Sequence, residues 1–161
     1  MKDILIRTEL KAGDMGSVIA MHGRLYNTEY NYGLHFESYV AAGLHEFAET
    51  LGSSRSRAWV CEQNGAMVGF LALVDRGETA QLRYFILDPS ARGVGLGKKL
   101  MGLWREYLKA SGFKGAYLLT THEQKAAAHL YTSVGFKLVE EHPAHKPFDK
   151  DVMEQRYEVT L

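Results

Sequence analysis

The hydrophobic positions in the first third of the chain recur at helical spacing. Two stripes of apolar side chains repeat every three or four residues, the pattern of helices that bury one face. The first stripe holds Met15, Val18, Ile19, His22 and Leu25, and the second holds Phe36, Val40, Leu44, Phe47 and Leu51. The pattern predicts a helix capped by Asp14 that runs to about Tyr30, and a second helix that ends before Gly52. A short strand at Ile4–Leu10 precedes both.

The middle of the chain has the pattern of β-strands. Two runs, Arg57–Glu62 and Ala66–Val74, flank Gln63-Asn64-Gly65, and an Asn-Gly pair is a strong signal for a hairpin. A third strand is predicted at Thr79–Leu87. Strict alternation places Leu82, Tyr84 and Ile86 on one face of it and Gln81, Arg83 and Phe85 on the other.

The last third alternates between the two periods. The pattern predicts a helix at Leu96–Ala110, a strand at Ala116–Thr120, a helix from about His122 to Val134 that Gly135 terminates, and strands at Phe136–Glu141 and Val152–Leu161. The element order is therefore β-α-α-β-β-β-α-β-α-β-β. We expect an α/β (α+β) fold that comprises one domain over residues 1–161.

Composition and charge narrow the class of protein. A chain of 161 residues buries enough surface to need no disulfide or metal staple. Nineteen Lys and Arg balance nineteen Asp and Glu, which argues against binding to a nucleic-acid backbone. Charge interrupts the N-terminal apolar residues before a signal-peptide core forms, and no apolar run approaches the roughly 20 residues of a membrane span. We therefore expect a soluble cytoplasmic protein without nucleic-acid or membrane partners.

Cysteine and histidine do not indicate a metal site. Cys61 is the only cysteine, so neither an intrachain disulfide nor a cysteine-rich zinc site can form. His142-x-x-His145 lacks a paired acidic motif and is expected on the surface. No metal is predicted.

The segment that joins the third predicted strand to the helix at Leu96 carries the most functional information. It contains three glycines with flanking cations, and its sequence is Asp88-Pro89-Ser90-Ala91-Arg92-Gly93-Val94-Gly95-Leu96-Gly97-Lys98-Lys99. Unpaired N–H groups at a helix start attract phosphate, and glycines let a ligand approach the backbone. A P-loop does not fit, because Arg92 stands where its first glycine belongs and Lys99 replaces the Ser or Thr. A dinucleotide fingerprint does not fit either, because Lys98 occupies its third glycine position.

Arg92-x-x-Gly95-x-Gly97 is similar to the pyrophosphate-binding signature of acetyl-CoA-dependent acyltransferases. Together with Ala127-x-x-x-Tyr131-x-x-x-Gly135-Phe136 and the element order, it makes the chain resemble the GNAT superfamily of N-acetyltransferases over its whole length. The resemblance implies the GNAT fold, a mixed, mostly antiparallel sheet of about six or seven strands flanked by about four helices.

A narrower resemblance concerns the N-terminal helices. His22-Gly23-x-x-Tyr26-x-x-x-Tyr30, followed by Phe36-Glu37-x-x-Val40, is similar to the acetyltransferase half of bacterial fusions with a MarR-type winged-helix regulator. No winged helix precedes the motif in this sequence, so DNA binding is not implied.

The resemblance implies acetyl-CoA as the cofactor, with its pyrophosphate on the backbone N–H groups of the glycine loop. The pantetheine arm is expected to pair with the end of the preceding strand, where a backbone N–H polarises the thioester carbonyl. The cofactor-binding residues predicted in this way are Phe85, Ile86, Leu87, Arg92, Gly93, Val94, Gly95, Leu96, Gly97, Lys98, Gln124 and Tyr131. Gln124 stands where relatives often have Asn, and Thr121-x-x-Gln124 also matches a helix capping box.

Tyr131 occupies the position of the family's general acid. Aminolysis expels a thiolate whose thiol has a reference pKa of about 8.5, and a phenol hydrogen-bonded to the sulfur can protonate it. Many relatives carry a glutamate base on the strand before the loop, but here the nearest acid, Glu78, lies only at the start of that strand. The general base is therefore left open between Glu37, His22 and deprotonation by solvent. The alternative role for Tyr131 and His22 is packing in the core. The alternative for Glu37 is a solvated acid in the first turn of the second predicted helix, where it suits the helix dipole.

The implied activity is direct transfer of an acetyl group from acetyl-CoA to a primary amine of a small molecule or peptide. Tyr26, Tyr30 and Phe36 are predicted to line the acceptor site, with ordinary helix packing as the alternative. Cys61 needs no role as an acyl carrier. Two alternative functions are a CoA-binding sensor with little turnover and an acetyltransferase for protein lysines or N-termini. Relatives often form homodimers.

Overall fold

A seven-stranded sheet forms the centre of the computed structural model, which describes residues 3–161. The strands are β1 (Leu5–Arg7), β2 (Arg57–Gln63), β3 (Ala66–Asp75), β4 (Thr79–Leu87), β5 (Gly115–Thr121), β6 (Lys137–Ala144) and β7 (Val152–Thr160), in the sheet order β1-β2-β3-β4-β5-β7-β6. The helices are α1 (Asp14–Tyr30), α2 (Leu34–Thr50), α3 (Leu96–Ala110) and α4 (Lys125–Ser133). The predicted fold class, a mostly antiparallel sheet of about six or seven strands flanked by about four helices, is confirmed.

The helices cover both faces of the sheet, so the protein has two cores. One core packs α3 and α4 against the sheet around Leu100, Trp104 and Tyr131. The other packs α1 and α2 against the opposite face around Val18, Leu44 and further aromatic side chains. This arrangement explains why the central strand β3 is apolar at almost every position, since both of its faces are buried.

Strand β4 departs from strict alternation. Phe70 pairs with Ile86 and Ala72 pairs with Arg83, so β4 contains one residue more than β3 between these pairs. This extra residue is a β-bulge, and Tyr84 within it has a φ of 60°. Side chains on the two sides of the bulge therefore change faces.

The predicted faces of β4 are wrong for this reason. Leu82 belongs to the core beneath α3 and α4, whereas Tyr84 and Ile86 belong to the core beneath α1 and α2. Phe85 packs against the α3 and α4 core, on the same face as Leu82. The alternation pattern of one strand cannot reveal an extra residue, because the extra residue is defined by the pairing with the neighbouring strand β3.

The sheet opens in the middle, between β4 and β5. These two strands form its parallel pair, and their register extends only from Thr79 opposite Gly115 to Gln81 opposite Tyr117. Beyond these residues the strands diverge, whereas the neighbouring antiparallel pairs continue. Two cavities lie at the gap between the diverging strands.

Two helix starts differ from the sequence prediction. Gly13, with a φ of 95°, holds the N-cap position of α1, and Asp14 is the first helical residue. The Asp14 carboxylate accepts a hydrogen bond from the Lys11 N–H at 2.7 Å and pairs with Arg7 at 2.8 Å. Helix α4 begins at Lys125, three residues later than expected. None of the helices in residues 3–161 is long and apolar enough to cross a membrane.

Candidate active site

Two cavities adjoin at the gap between β4 and β5. We call them the glycine-loop cavity, which lies at the N-terminus of α3, and the Tyr131 cavity, which lies beneath α1 and α2. Tyr26, Phe85 and Gln124 line both of them. A ligand in one cavity can therefore meet a ligand in the other at these three side chains.

The glycine-loop cavity has a volume of about 1070 Å³, including its solvent-open mouth. Gly93 and Gly95 have φ values of 75° and 85°, a conformation that side chains with a Cβ rarely adopt. Within residues 3–161, the N–H groups of residues 93–98 donate no hydrogen bond. The loop therefore presents consecutive free donors at a helix N-terminus, which is an arrangement that binds anions.

Most of the predicted cofactor-binding residues line this cavity. They are Phe85, Ile86, Leu87, Arg92, Gly93, Gly95, Leu96, Gly97, Lys98 and Gln124. Val94 lies outside the lining and is 44% exposed, and Tyr131 lines the neighbouring cavity. Tyr30, which was predicted to bind the acceptor, lines the glycine-loop cavity instead.

An ion pair joins the glycine loop to α1. The Arg92 guanidinium pairs with the Glu29 carboxylate, and its Nε donates a hydrogen bond to the Leu87 carbonyl oxygen at 3.0 Å. Glu29 and Arg92 both line the glycine-loop cavity. The predicted phosphate-binding cation is thus held in place by a carboxylate from the other side of the cavity.

The Tyr131 cavity combines aromatic walls with a few polar groups. Tyr26 stacks on Phe36 with ring centroids 5.0 Å apart, and both rings contact His22. The Tyr26 hydroxyl donates a hydrogen bond of 3.4 Å to the Phe85 carbonyl oxygen, at the boundary between the cavities. Of the predicted substrate-binding residues, Tyr26 and Phe36 line this cavity.

Tyr131 is the one side chain of α4 that is buried. Its ring packs near Phe85, Phe136 and Tyr157, at centroid distances of 6.2 to 6.4 Å. Burial, with smaller contributions from Tyr30 and Tyr157, raises the pKa of the Tyr131 phenol well above its usual range. The hydroxyl is therefore protonated at neutral pH, and it makes no hydrogen bond within residues 3–161.

His22 lies 2% exposed in the wall of the same cavity. Its Nδ1 is 2.9 Å from the Val18 carbonyl oxygen, which can only accept, so Nδ1 carries the proton. This tautomer leaves Nε2 free to accept a proton. Burial, helped by the Arg83 charge and opposed by the Val18 hydrogen bond, lowers the pKa of His22 to about 4.

The low pKa of His22 makes folding stability depend on pH. Unfolded histidine titrates near pH 6.5, so between pH 6.5 and 4 the unfolded state binds a proton that the folded state excludes. We expect His22 to cost about 2 kcal/mol of unfolding free energy when the pH falls from 7 to 5. His22→Phe keeps the aromatic packing and should remove this loss.

Urea unfolding at several pH values measures the effect as the difference between the wild type and His22→Phe. The exposed His129 provides the matched control, since His129→Asn should leave the wild-type pH dependence unchanged. Parallel pH profiles for the wild type and His22→Phe would contradict the burial of a neutral imidazole.

Glu37 lies away from both cavities. A Cβ on Gly23 would fall 2.0 Å from its carboxylate oxygen, so Glu37 packs against the backbone of α1. It lines a separate surface groove with Arg24 and Asn27. The structure therefore brings His22 together with Tyr131 and leaves Glu37 apart.

Gln124 does not form the capping box that its spacing suggests. It occupies the N-cap of α4 without a side-chain cap hydrogen bond. The Thr121 hydroxyl instead pairs with the Tyr32 hydroxyl at 2.6 Å. Gln124 lines both cavities.

Cysteine and the histidine motif lie apart from the cavities. Cys61 is fully buried in β2, and burial raises the pKa of its thiol to about 12. His142 lies 3.2 Å from Glu154, and His145 lies 3.1 Å from Asp151. Across residues 3–161, no three His, Cys, Asp or Glu side chains are grouped to hold a metal.

Sequence patterns missed several polar residues of the Tyr131 cavity. These are Gln81, Arg83, Tyr84, Thr120 and Glu154. Gln81 accepts hydrogen bonds from Arg76 at 2.8 and 3.0 Å and from Tyr117 at 3.2 Å. Gln81 is 5% exposed, and a polar residue within an apolar strand is a signal for such burial. Its partners could not be predicted, because Tyr117 is distant in sequence and Arg76 belongs to a turn.

The sequence profile of the acetyltransferase (GNAT) family matches residues 23–136, and the chain belongs to this family. It is 31% identical over 113 residues to N-acetyltransferase family 8 member 3 of Rattus norvegicus, a match that covers 63% of this chain and 50% of the rat protein. An uncharacterized N-acetyltransferase of Methanocaldococcus jannaschii is 34% identical over 86 residues, 49% of this chain and 38% of that protein. The chain thus spans half or less of the length of these curated relatives.

Solved structures share the fold over the full length of the chain. An acetyltransferase from Streptococcus agalactiae superposes with a TM-score of 0.81 and 23% identity, covering 100% of both chains. Spermidine N-acetyltransferase from Vibrio cholerae, solved with CoA and spermine, has a TM-score of 0.72 and 17% identity, covering 99% of this chain and 96% of that one. Salmonella typhimurium yncA, solved with its cofactor acetyl-CoA, has a TM-score of 0.74 and 20% identity, covering 99% and 95%.

Proposed function

We propose that residues 1–161 form one N-acetyltransferase domain that transfers an acetyl group from acetyl-CoA directly to a primary amine. The observation that carries the proposal is the meeting of two cavities at Tyr26, Phe85 and Gln124. One cavity has the donors of an anion site, and the other has Tyr131 and His22 in its wall. Acetyl-CoA in one cavity and the amine in the other would be held next to each other for direct transfer. Such positioning of two reactants supplies much of a rate enhancement.

The residues of the glycine-loop cavity fit acetyl-CoA. The free N–H groups of residues 93–98 suit its phosphates, and Arg92 and Lys98 add positive charge beside them. A Cβ on Gly97 would lie 3.0 Å from Leu130 and 3.5 Å from Phe85, so glycine keeps the helix start close to β4 and α4. When bound, acetyl-CoA supplies an acetyl thioester.

Tyr131 and His22 are proposed to move the protons. The buried Tyr131 phenol stays protonated at neutral pH and donates its proton to the departing sulfur. An amine nitrogen becomes much more acidic once it bonds to a carbonyl carbon, so even a weak base such as His22 can take its proton through Nε2. Both side chains line the same cavity.

Amine-dependent release of CoA tests the proposal. Acetyl-CoA is titrated calorimetrically into the protein, and a panel of primary amines is then screened for thiol release. Binding with release on at least one amine supports the enzyme. Tight binding with no release on any amine or lysine peptide would support a CoA sensor, and release only on lysine or N-terminal peptides would support a protein acetyltransferase.

Glu29 provides a separate test of the cofactor site. Its carboxylate occupies Arg92 and places negative charge in the cavity, so a phosphate must compete with it. Glu29→Gln should therefore tighten acetyl-CoA binding about threefold to tenfold, the scale of a partly exposed ion pair. Calorimetry at two salt concentrations measures the change.

Glu78→Gln is the control for this charge removal, because Glu78 pairs with Lys114 on the surface at 3.0 Å and lines neither cavity. Weaker binding by Glu29→Gln would show instead that Glu29 orients Arg92 for the ligand.

Five finer points belong to this proposal. The acceptor is a small molecule or peptide, the location is cytoplasmic, the source is bacterial, the protein can form a homodimer, and its N-terminal helices are related to those of the regulator-fused acetyltransferases. The aromatic wall of Tyr26 and Phe36 supports a small acceptor, since it encloses the cavity from the side of α1 and α2.

A further inference from the structure

Arg83 is the one arginine or lysine that lines the Tyr131 cavity, and its charge has no polar partner within residues 3–161. In the described part of the chain, no atom accepts a hydrogen bond from its guanidinium and no carboxylate lies within ion-pair distance. Arg7, Arg55 and Arg92, by contrast, each pair with a carboxylate. Arg83 is held by aromatic stacking, with its guanidinium carbon 4.6 Å from the Tyr84 ring centroid and 5.2 Å from that of Tyr39.

The bulge in β4 places Arg83 and Tyr84 beside each other. Both reach toward the backbone of α2 at Gly43, where an added Cβ would lie 2.1 Å from the Tyr84 hydroxyl and 2.9 Å from Arg83 Nη1. The Tyr84 hydroxyl is buried and makes no hydrogen bond within residues 3–161. A buried hydroxyl without a partner is costly unless a ligand pairs with it. Arg83 beside it is partly exposed, and it lines both the Tyr131 cavity and a separate surface groove at Gly43 and Glu46.

Arg83 supplies the positive charge of the Tyr131 cavity, since the other charged or titratable groups of the lining besides tyrosines are Glu154 and His22. Glu154 lies in the wall on the β7 side, 3.2 Å from His142. His22 is neutral at pH 7, and the nearby Arg83 charge helps to keep it so. An ammonium group alone would be repelled by Arg83, whereas an amine that also carries an anion would satisfy it.

The position of Arg83 relative to the boundary between the cavities suits a short spacer. Arg83 precedes Phe85 by two residues, which is roughly 7 Å along an extended strand and less across a bulge. Both residues line the Tyr131 cavity, so an amine held near Phe85 and a carboxylate a few bonds away would share the cavity with Arg83. The planar fork of arginine binds a carboxylate through two hydrogen bonds.

We propose that the acceptor is an amine that carries a carboxylate, as an amino acid does, and that Arg83 is the residue that binds this carboxylate. The inference rests on the proposed acetyl transfer and adds the chemical class of its acceptor. Arg83 thereby selects the substrate, and Tyr84 and Gly43 position the Arg83 side chain.

Matched pairs of amines test the proposal. Each pair consists of an α-amino acid with an aliphatic or aromatic side chain and its primary amide, and kcat/KM is measured with the wild type and with Arg83→Gln. Comparing each amine between the two proteins cancels the difference in amine basicity. Arg83→Gln should lower kcat/KM about tenfold or more for the carboxylates, through KM, and less than about threefold for the amides.

Two further variants keep the result interpretable. Arg57 also stacks on an aromatic ring, 4.0 Å from that of Tyr107, and lines neither cavity, so Arg57→Gln should change neither member of a pair. Arg83→Lys keeps the charge without the fork and should retain part of the preference, which distinguishes recognition from a loss of folding.

A binding measurement separates this inference from the proposed function. The amine pairs are titrated into the CoA-loaded protein by calorimetry, a readout that needs no turnover. Preferential binding of carboxylates without acetylation would support the anion site and contradict the transferase. Acetylation without preference, or preference for polyamines or for an amine that bears a phosphate, would overturn the carboxylate and leave the transferase in place. Neither binding nor acetylation of any pair would overturn the carboxylate and leave the transferase to the wider panel of primary amines.

Discussion

Replacing Tyr131 with phenylalanine should lower kcat by about two to three orders of magnitude, the scale of a lost general acid. The wild-type phenol is protonated at neutral pH because burial raises its pKa. Phenylalanine keeps the ring contacts with Phe85, Phe136 and Tyr157 and removes only the proton donor. Because the hydroxyl makes no hydrogen bond within residues 3–161, the change should alter the free energy of unfolding by less than about 1 kcal/mol.

The measurement is steady-state kinetics with a saturating amine, together with calorimetry of acetyl-CoA. The affinity for acetyl-CoA should change by less than about threefold, since Tyr131 lines the neighbouring cavity. Tyr157→Phe is the control, because Tyr157 lies in the same core, 6.4 Å from the Tyr131 ring, and lines neither cavity. An unchanged kcat in Tyr131→Phe would remove Tyr131 from the chemistry and leave it as a core residue.

The parts of the fold that depend on local spacing could be predicted from the sequence. Apolar stripes placed α1 to within about one residue of its observed bounds, and the Asn-Gly pair correctly placed the hairpin between β2 and β3. The glycine loop was predicted from its three glycines and flanking cations at the start of a helix. The positive φ values of Gly93 and Gly95 are a further reason for glycine there, which the prediction did not include.

The faces of β4 could not be predicted, because a bulge is a relation between two strands. Tyr84 adopts a φ of 60° although it is not glycine, so its own sequence gives no sign of the conformation. The consequence is functional as well as structural. One additional residue brings Arg83 and Tyr84 to the same point beneath α2, and without it they would lie on opposite faces.

Contacts between distant residues also decided which candidates meet. In the sequence, Glu37 and His22 were equally good candidates for the general base. The packing of α2 on α1 leaves His22 in the wall of the Tyr131 cavity and Glu37 against Gly23, outside both cavities. The pairing of Glu29 with Arg92 joins residues 63 positions apart and was not foreseen. Sequence spacing predicts what shares a helix face, whereas the composition of a cavity depends on how the faces dock.

Replacing Gly95 with glutamate should weaken acetyl-CoA binding by about 100-fold or more. Gly95 is the N-cap of α3 with a φ of 85°, and no atom lies within 4 Å of where its Cβ would be. The new side chain therefore meets no clash at its Cβ, and it starts from a residue that lines the glycine-loop cavity. Its carboxylate competes for the free N–H groups of the helix start and repels a phosphate at close range. Calorimetric titration of acetyl-CoA measures the loss.

Gly13→Glu is the matched control for this substitution. Gly13 is the N-cap of α1, has a φ of 95°, and also has no atom within 4 Å of an added Cβ. Both variants therefore carry the same charge and a similar strain of about 1 to 2 kcal/mol in a left-handed conformation, but Gly13 lines neither cavity. Gly13→Glu should reduce stability and leave acetyl-CoA affinity unchanged. Equal affinities for Gly95→Glu and the wild type would show that the free amides of residues 93–98 do not bind the diphosphate, and the assignment of this loop would fail.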